Sequence, residues 1–247
     1  MRHYRYLVHT SGPALWPDHK PLEEVLLLKG TTPAPVWEAT YQANPTAPGG
    51  QTFKRKWFRE RFDATDRRFV NERVGVWISA DTALTDKDGS AYTAFVVGEG
   101  SPTYQLYIRE VWRGRIEFPD LTAEIKSIAQ RYRHDGKLRG VVIENKASGI
   151  SALQTLRASS DEQFARMLIG FIPVGDKEFR ANQASVWCKN GSVLLPEPSN
   201  AVPWLADFEE EFFGFPSSAY DDQVDAFSQL VIYLENYLAT GWRARVG

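Results

Sequence analysis

The sequence predicts an α/β fold in which helices cover both faces of one mixed sheet. Three β-patterned runs follow one another through short turns, two later β-runs are each preceded by a helical pattern, and a long amphipathic segment closes the chain. Short turns make successive strands antiparallel, whereas a helix between two strands lets them pair in parallel. Numbered along the chain, the five main strands are therefore expected in the order 3-2-1-4-5.

The first strand is identified by alternation. Within residues 74–81, Val76, Ile78 and Ala80 occupy every second position, which is the period of a strand. Strands 2 and 3 are expected at about Ala91–Gly98 and Thr103–Trp112. Asp88-Gly89 in the first connection is a strong hairpin signal.

The later elements are predicted from helical spacing and from short apolar runs. Helices are expected at Asp120–Tyr132, Gly149–Arg157, Glu178–Lys189, Pro203–Phe213 and Ser218–Ala239, and strands at Arg139–Glu144, Met167–Pro173 and Ser192–Leu195. The apolar residues of the last helix recur at helical spacing, so one of its faces is expected to be buried.

The composition limits the classes of function. The 247 residues carry a formal net charge of -2, so any attraction to nucleic acid must come from local patches. Cys188 is the only cysteine and the four histidines are scattered, which argues against a disulfide, a zinc site or a histidine triad. No apolar run approaches the length of a membrane span, so no membrane partner is expected.

The chain is expected to consist of an extension, residues 1–70, and a domain, residues 71–247. The extension is rich in proline and glycine and reads as irregular, with short helices at Leu22–Lys29 and Pro35–Gln42. Basic and aromatic residues interleave at 53–68. This run either follows a nucleic acid backbone or is a solvated face whose aromatic residues dock on the domain behind it.

Two predicted strands end in an acidic residue. Asp81 ends strand 1 and Glu144 ends strand 4. Because these strands are expected to be parallel neighbours, about 4.8 Å apart, both carboxylates should lie at the same edge of the sheet, where they could share a metal ion. Each acid alone could instead meet a helix N-terminus or a lysine.

The last helix offers three further acids. Asp222 and Asp225 are three residues apart and share a helix face, and Asp225 lies beyond the first turn among apolar neighbours, so both are predicted to act as metal ligands or to support them. Asp221 is a weaker ligand candidate, because Ser218-x-x-Asp221 has the form of a capping box. An all-oxygen ligand set favours Mg²⁺ or Mn²⁺, and two such ions could activate water and stabilise a leaving oxygen.

The acidic motifs resemble those of a known nuclease family. The motifs are Ala80-Asp81-Thr82-Ala83, Glu144-Asn-Lys-Ala-Ser-Gly149 and Asp221-Asp-Gln-Val-Asp-Ala226. Upstream, Leu15-Trp16-Pro17, Tyr41-Gln-Ala-Asn-Pro45 and Gly49-Gly-Gln-Thr-Phe53 resemble a segment that joins an ATPase domain to a nuclease domain. Together, over about residues 13–240, they resemble the RNase H-like nuclease domain of the large terminase subunit of tailed bacteriophages.

The resemblance implies an RNase H-like fold and a metal-dependent endonuclease that cuts double-stranded viral DNA during genome packaging, with low sequence specificity. The implied catalytic residues are Asp81, Glu144, Asp222 and Asp225, with Mg²⁺ or Mn²⁺ as cofactor. The implied partners are double-stranded DNA, the portal, the small terminase subunit and an ATPase domain, in the cytoplasm of the bacterial host. Two alternatives stay open: a Holliday-junction resolvase or other RNase H-like nuclease, and a non-catalytic DNA-binding or portal-docking module.

One part of the family pattern is missing. The sequence contains no Walker A loop, G-x-x-x-x-G-K-[ST], so residues 1–70 are expected to be the remnant of a connection to an absent ATPase domain.

Basic residues near the acidic motifs are the predicted DNA contacts. Lys146 lies two residues after Glu144 and either approaches the scissile phosphate or pairs with an acid at the surface. The other predicted contacts are Lys177, Arg180, Arg109, Arg113 and Arg115.

Overall fold

The computed structural model describes residues 52–65, 74–83, 92–134 and 136–239. By its internal contacts the chain divides into two units, Met1–Gln51 and Thr52–Gly247, and the described residues all belong to the second. The two short helices predicted before residue 50, the Asp88-Gly89 turn and most of the linker-like motifs lie outside the described ranges.

Over the described ranges, seven strands form one mixed sheet. They are β1 (Arg61–Phe62), β2 (Gly75–Asp81), β3 (Thr93–Gly100), β4 (Leu106–Gly114), β5 (Leu138–Glu144), β6 (Leu168–Phe171) and β7 (Val193–Pro196). The sheet order is β1-β7-β4-β3-β2-β5-β6. Only β3 runs antiparallel to its neighbours among the described strands. The predicted order 3-2-1-4-5 is confirmed as β4-β3-β2-β5-β6, and β7 and β1 extend the sheet beyond β4.

Helices cover both faces, as predicted. They are α1 (Phe118–Arg133), α2 (Ala147–Ala158), α3 (Glu162–Met167), α4 (Lys177–Lys189), α5 (Leu205–Gly214) and α6 (Asp222–Ala239). The first three enclose one hydrophobic core, and the last three enclose the other. The sequence did not predict the short helix α3 or the single 3-10 turn at Arg55–Trp57. Within the described ranges, no helix is long and apolar enough to span a membrane.

The alternation in β2 sorts its side chains between the two cores. Val76 and Ile78 face the core under α1–α3, whereas Trp77 faces the core under α4–α6, where its ring meets Tyr237 edge-on at 5.8 Å. Because both faces are covered, nearly every residue of β2 and β3 is buried, as is usual for the central strands of such a sheet.

The basic and aromatic segment docks on the domain over its described part, Thr52–Thr65. Phe53 stacks on Phe212 with ring centroids 4.0 Å apart. Arg55 and Arg61 both pair with Glu209, at 2.9 and 2.6 Å. Of the two alternatives from sequence, the structure therefore shows the docked one here, and β1 joins the sheet beside β7.

Candidate active site

Asp81 and Glu144 lie side by side at one edge of the sheet. In the parallel pair of β2 and β5, Ala80 is opposite Ile143, and the two acids follow at the carboxyl ends of their strands. The negative charge of Glu144 acts on the Asp81 carboxyl group. The placement expected from the sequence is therefore present.

Helix α6 brings a third acid to the same edge. Asp225 is only 7% exposed, and its charge acts directly on Asp81. Burial, followed by the negative charges of Asp225 and Glu144, raises the pKa of Asp81 well above its usual range. Three carboxyl groups from β2, β5 and α6 thus converge.

Cations of α4 hold the acid from α6. Asp225 Oδ1 accepts a hydrogen bond from Arg180 Nη2 at 2.8 Å, and Oδ2 pairs with Lys177 Nζ at 2.8 Å. Lys177 Nζ also donates to Asp221 Oδ1 at 2.6 Å. Burial alone would lower the pKa of Lys177, but the bonds to Asp221 and Asp225 outweigh it and raise that pKa. The buried charge of Asp225 is therefore compensated by the chain itself.

Lys146 pairs with Glu144. Its Nζ lies 2.9 Å from Glu144 Oε1, and its side chain is 64% exposed. Of the two alternatives for this lysine, the structure shows the surface pair with an acid.

The described parts of the chain contain no group of three His, Cys, Asp or Glu side chains that could hold a metal ion as they stand. Both oxygens of Asp225 face cations, and Lys146 holds Glu144. The donor set nevertheless fits a hard divalent cation, because it consists of carboxylate oxygens. The charges of Asp225 and Glu144 raise the pKa of Asp81, and a cation bound among these acids would offset that repulsion.

The acids that act on Asp222 differ from those that act on Asp81, although the charge of Lys177 acts on both. Burial, then the charges of Glu211 and Asp221, raises the pKa of Asp222 to about 6. The sequence placed Asp222 and Asp225 together as ligands, but the acids that act on Asp81 are Asp225 and Glu144. The role of Asp222 as a metal ligand therefore stays a prediction.

The N-terminus of α6 is capped from another helix. Glu211 of α5 is buried, and its Oε1 accepts the backbone N–H groups of Gln223 at 2.7 Å and Val224 at 3.1 Å. Ser218 Oγ instead donates to the Tyr220 carbonyl at 2.8 Å. The capping box predicted at Ser218 is therefore wrong, and α6 begins at Asp222, four residues later than predicted.

The basic residues predicted to contact DNA differ from one another in burial and in the acids that they pair with. Arg180 is 6% exposed and also donates to the Gly175 carbonyl, so it supports Asp225 from inside and is not the surface contact that the sequence predicted. Arg113 pairs with Glu211, and Arg109 lies 3.4 Å from Glu99. Arg115 is exposed. Lys177, described above, lies at the carboxylates.

Two of these arginines, Arg113 and Arg115, lie over tyrosine rings. The Arg113 guanidinium lies 4.4 Å from the Tyr220 ring centroid, and that of Arg115 lies 4.7 Å from the Tyr92 ring. The two tyrosine rings meet edge-on at 5.1 Å. This cluster of Tyr92, Tyr220, Arg113 and Arg115, here called the Tyr–Arg patch, adjoins the start of α6.

The start of α2 approaches Glu144 very closely. Ser148 Oγ donates to the Thr82 carbonyl at 2.7 Å, which ties α2 to the residue after Asp81. A Cβ placed on Gly149 would lie 1.8 Å from the Glu144 carbonyl oxygen, so only glycine fits while the backbone keeps this position.

We expect Gly149→Ala to lower the free energy of unfolding by about 1–3 kcal/mol, because the added methyl group must push α2 away from Glu144. Urea denaturation of the two proteins measures the loss. Gly136→Ala is the contrast, because a Cβ added there would have no atom within 4 Å. Only the positive φ of 70° at Gly136 opposes that change. Equal stability of Gly149→Ala and the unmodified chain would contradict the close approach.

Asp222→Asn should raise stability in a pH-dependent way. A carboxyl whose pKa is raised on folding contributes stability that is present below its unfolded value of 3.8 and is lost as the pH rises through about 6. Asparagine does not ionise, so the variant does not lose this stability as the pH rises. In EDTA its free energy of unfolding should exceed that of the unmodified chain by about 1 kcal/mol near neutral pH, after allowance for partial exposure, and by much less near pH 4. Thermal melting at both pH values measures the difference. An equal gain at both would contradict it.

The sheet order, the helices on both faces and the acids at the carboxyl ends of β2 and β5 define an α/β domain of the RNase H-like class. The family model described as "Terminase RNaseH-like domain" matches residues 78–234. The chain belongs to this family. A search of curated proteins finds no match.

Solved structures with a similar fold come from phages and from human cytomegalovirus. The large terminase nuclease of thermophilic phage G20c with bound cobalt is 15% identical, with a TM-score of 0.53 over 75% of this chain and 98% of that one. The human cytomegalovirus terminase nuclease domain, manganese-soaked and inhibitor-bound, is 12% identical, with a TM-score of 0.50 over 76% of this chain and 97% of that one.

A longer relative is the large terminase of another thermophilic bacteriophage. It is 11% identical, with a TM-score of 0.53 over 85% of this chain and 52% of that chain. The present chain thus spans about half of that longer terminase. At such identities these likenesses show a shared fold.

Proposed function

We propose that this chain is a divalent-metal-dependent endonuclease that cuts double-stranded viral DNA during genome packaging, with low sequence specificity. The observation that carries the proposal is the convergence of Asp81, Glu144 and Asp225 at the ends of β2, β5 and α6. Membership of the terminase RNase H-like family supports the reaction class. The cobalt in the G20c nuclease and the manganese soak of the cytomegalovirus domain support a divalent ion, and we propose Mg²⁺ or Mn²⁺, as two ions.

Asp81, Glu144 and Asp225 would hold the metal, and Asp221 and Asp222 are the further acids at the start of α6. Bound metal supplies an activated water and stabilises the leaving oxygen of the phosphodiester. Arg180 keeps Asp225 oriented through Oδ1. Asp225 Oδ2 faces Lys177. The Lys177 side chain is flexible and more exposed than the buried Arg180 side chain, so it can leave Asp225 more easily.

Two lysines at the site could act first on the acids and then on the DNA. Lys177 and Lys146 each pair with one of the converging acids, at 2.8 and 2.9 Å. Their ammonium groups offset the repulsion between the carboxylates while no substrate is present. Both side chains are about half exposed or more, so after release from the acids they can reach a phosphate that lies over the site.

The DNA duplex is proposed to cross the Tyr–Arg patch as it enters the site. Arg115 is exposed there, whereas Arg113 is committed to Glu211. Because the net charge is only -2 and basic side chains are local, duplex binding should be weak and should fall steeply with salt. The proposed partners beyond DNA are an ATPase domain, the portal and the small terminase subunit, in the cytoplasm of the bacterial host.

The test is digestion of supercoiled plasmid with EDTA, Mg²⁺ or Mn²⁺. Nicked and linear products should appear with metal and be absent with EDTA. Glu162→Gln is the control variant, because this acid is exposed on α3 and pairs only with Arg166 among the described contacts. Preference for four-way junctions over linear duplex would favour a resolvase. DNA binding without cleavage under any metal would favour the non-catalytic module and contradict the proposal.

A further inference from the structure

Gln229 is a polar side chain in the middle of the buried face of α6. It is 4% exposed, and its Nε2 donates to Ser79 Oγ at 2.9 Å, to the Ala80 carbonyl at 3.1 Å and to the Val142 carbonyl at 3.1 Å. An amide nitrogen has two hydrogens, so three acceptors at these distances mean that one hydrogen is shared. A single side chain therefore ties α6 to both β2 and β5.

The three tied elements are those that carry the converging acids. Ser79 and Ala80 directly precede Asp81, and Val142 lies two residues before Glu144. Asp225 lies four residues before Gln229, which is about one helical turn on the same face. Ser79 and Val142 are themselves opposite each other in the β2–β5 pair. The amide thus sits one layer below the carboxyl groups and touches every element that holds one.

The sheet ladder cannot supply this link. Backbone hydrogen bonds between β2 and β5 fix the spacing of Asp81 and Glu144. They do not fix the position of α6 along the sheet or its rotation about its own axis. Apolar packing of α6 is not directional. The hydrogen bonds of Gln229 are directional, so they define where the first turn of the helix, and Asp225 with it, stands relative to the strand ends.

We propose that Gln229 is a positioning residue that sets the spacing of Asp81, Glu144 and Asp225 and thereby the affinity of the site for its divalent metal. The proposal rests on the metal-dependent function proposed above. Partners of metal ligands that lie outside the coordination sphere typically change metal affinity by about 10–100-fold when they are removed.

The chain provides a matched control in the adjacent residue. Ser228 is also fully buried in α6, and its Oγ has no hydrogen-bond partner among the described residues. Ser228→Ala therefore changes a buried polar group of the same helix without removing a link to β2 or β5.

The experiment compares Gln229→Met and Ser228→Ala with the unmodified chain. Manganese binding without DNA is followed by electron paramagnetic resonance, cleavage is titrated with Mn²⁺, and melting is measured in EDTA. We expect Gln229→Met to need at least about tenfold more Mn²⁺ for half-saturation in both assays, with an unchanged KM for plasmid and cleavage largely restored at saturating Mn²⁺. Ser228→Ala should stay within about twofold of the unmodified chain.

A purely structural role predicts a different result. Gln229→Met would then melt at a lower temperature but keep its Mn²⁺ midpoint, and this outcome would overturn the positioning role alone. An unmodified chain that neither binds Mn²⁺ nor cuts would overturn the proposed function as well. If Gln229→Met does not fold, Ser79→Ala decides, because it removes only one acceptor and should raise the Mn²⁺ midpoint in the same direction. An unchanged midpoint in that variant would contradict the proposal.

Discussion

Asp81→Asn is expected to lower metal-dependent plasmid cleavage by at least about a hundredfold, the range observed when one preorganised charge-stabilising group is lost. Asp81 is the acid on which burial and the charges of Asp225 and Glu144 act together. The same crowding means that its ionised form is disfavoured without metal. Asparagine should therefore leave the melting temperature in EDTA unchanged or raise it.

The two readouts separate chemistry from folding. Cleavage is measured with saturating Mn²⁺, and melting is measured with EDTA on the same preparations. Glu162→Gln should match the unmodified chain in both. If Asp81→Asn cuts as fast as the unmodified chain, or loses activity only in proportion to lost folded protein, Asp81 has no part in the chemistry.

Glu211→Ala is expected to lower the free energy of unfolding by about 3–5 kcal/mol, the cost of removing one partner of a buried ion pair. The change leaves the Arg113 guanidinium unpaired and removes the acceptor of two backbone N–H groups at the start of α6. Glu211→Gln should cost less, because its amide oxygen still accepts hydrogen bonds. Urea denaturation at neutral pH measures both losses.

The neighbouring residue supplies the control for this second prediction. Glu210 precedes Glu211 in α5 but is exposed, so Glu210→Ala should change stability by no more than about 0.5 kcal/mol. A loss of less than about 1 kcal/mol in Glu211→Ala would show that the inter-helix cap is not a major support of α6.

The parts of the fold that the sequence predicted are those encoded by local patterns. Alternation identified β2, and short turns and crossover helices determined the order of the central strands. Because both acids end parallel neighbours, the adjacency of Asp81 and Glu144 followed from the same argument. Asp225 was identified by its apolar neighbours, and the structure does bury it, but α6 begins at Asp222, so Asp225 lies in the first turn and not beyond it.

The parts that the sequence missed depend on contacts between distant elements. The cap on α6 comes from Glu211, twelve residues before the Gln223 N–H group that it accepts. A signal existed, since Glu211 follows Phe208 by three residues and precedes Phe212 on the buried face of α5. No local rule, however, says that a buried acid caps a different helix. The pattern of α6 places Gln229 on its apolar face in the same way but does not reveal which strands it contacts.

Short or buried features were the other source of error. β1 and α3 contain two and six residues, too few for a periodic pattern to appear. Arginine is seldom buried, so the sequence does not predict that Arg180 lies inside the domain, where Asp225 and the Gly175 carbonyl supply its partners.

We propose above that Asp81, Glu144 and Asp225 form one divalent metal centre. The most direct measurement is anomalous X-ray scattering from crystals of the chain soaked in Mn²⁺. We expect manganese to be bound by carboxylate oxygens of these three residues, with Lys177 withdrawn from Asp225. Manganese between Asp222 and Glu211, or an intact pair of Lys177 and Asp225 with no manganese beside Asp81, would contradict it.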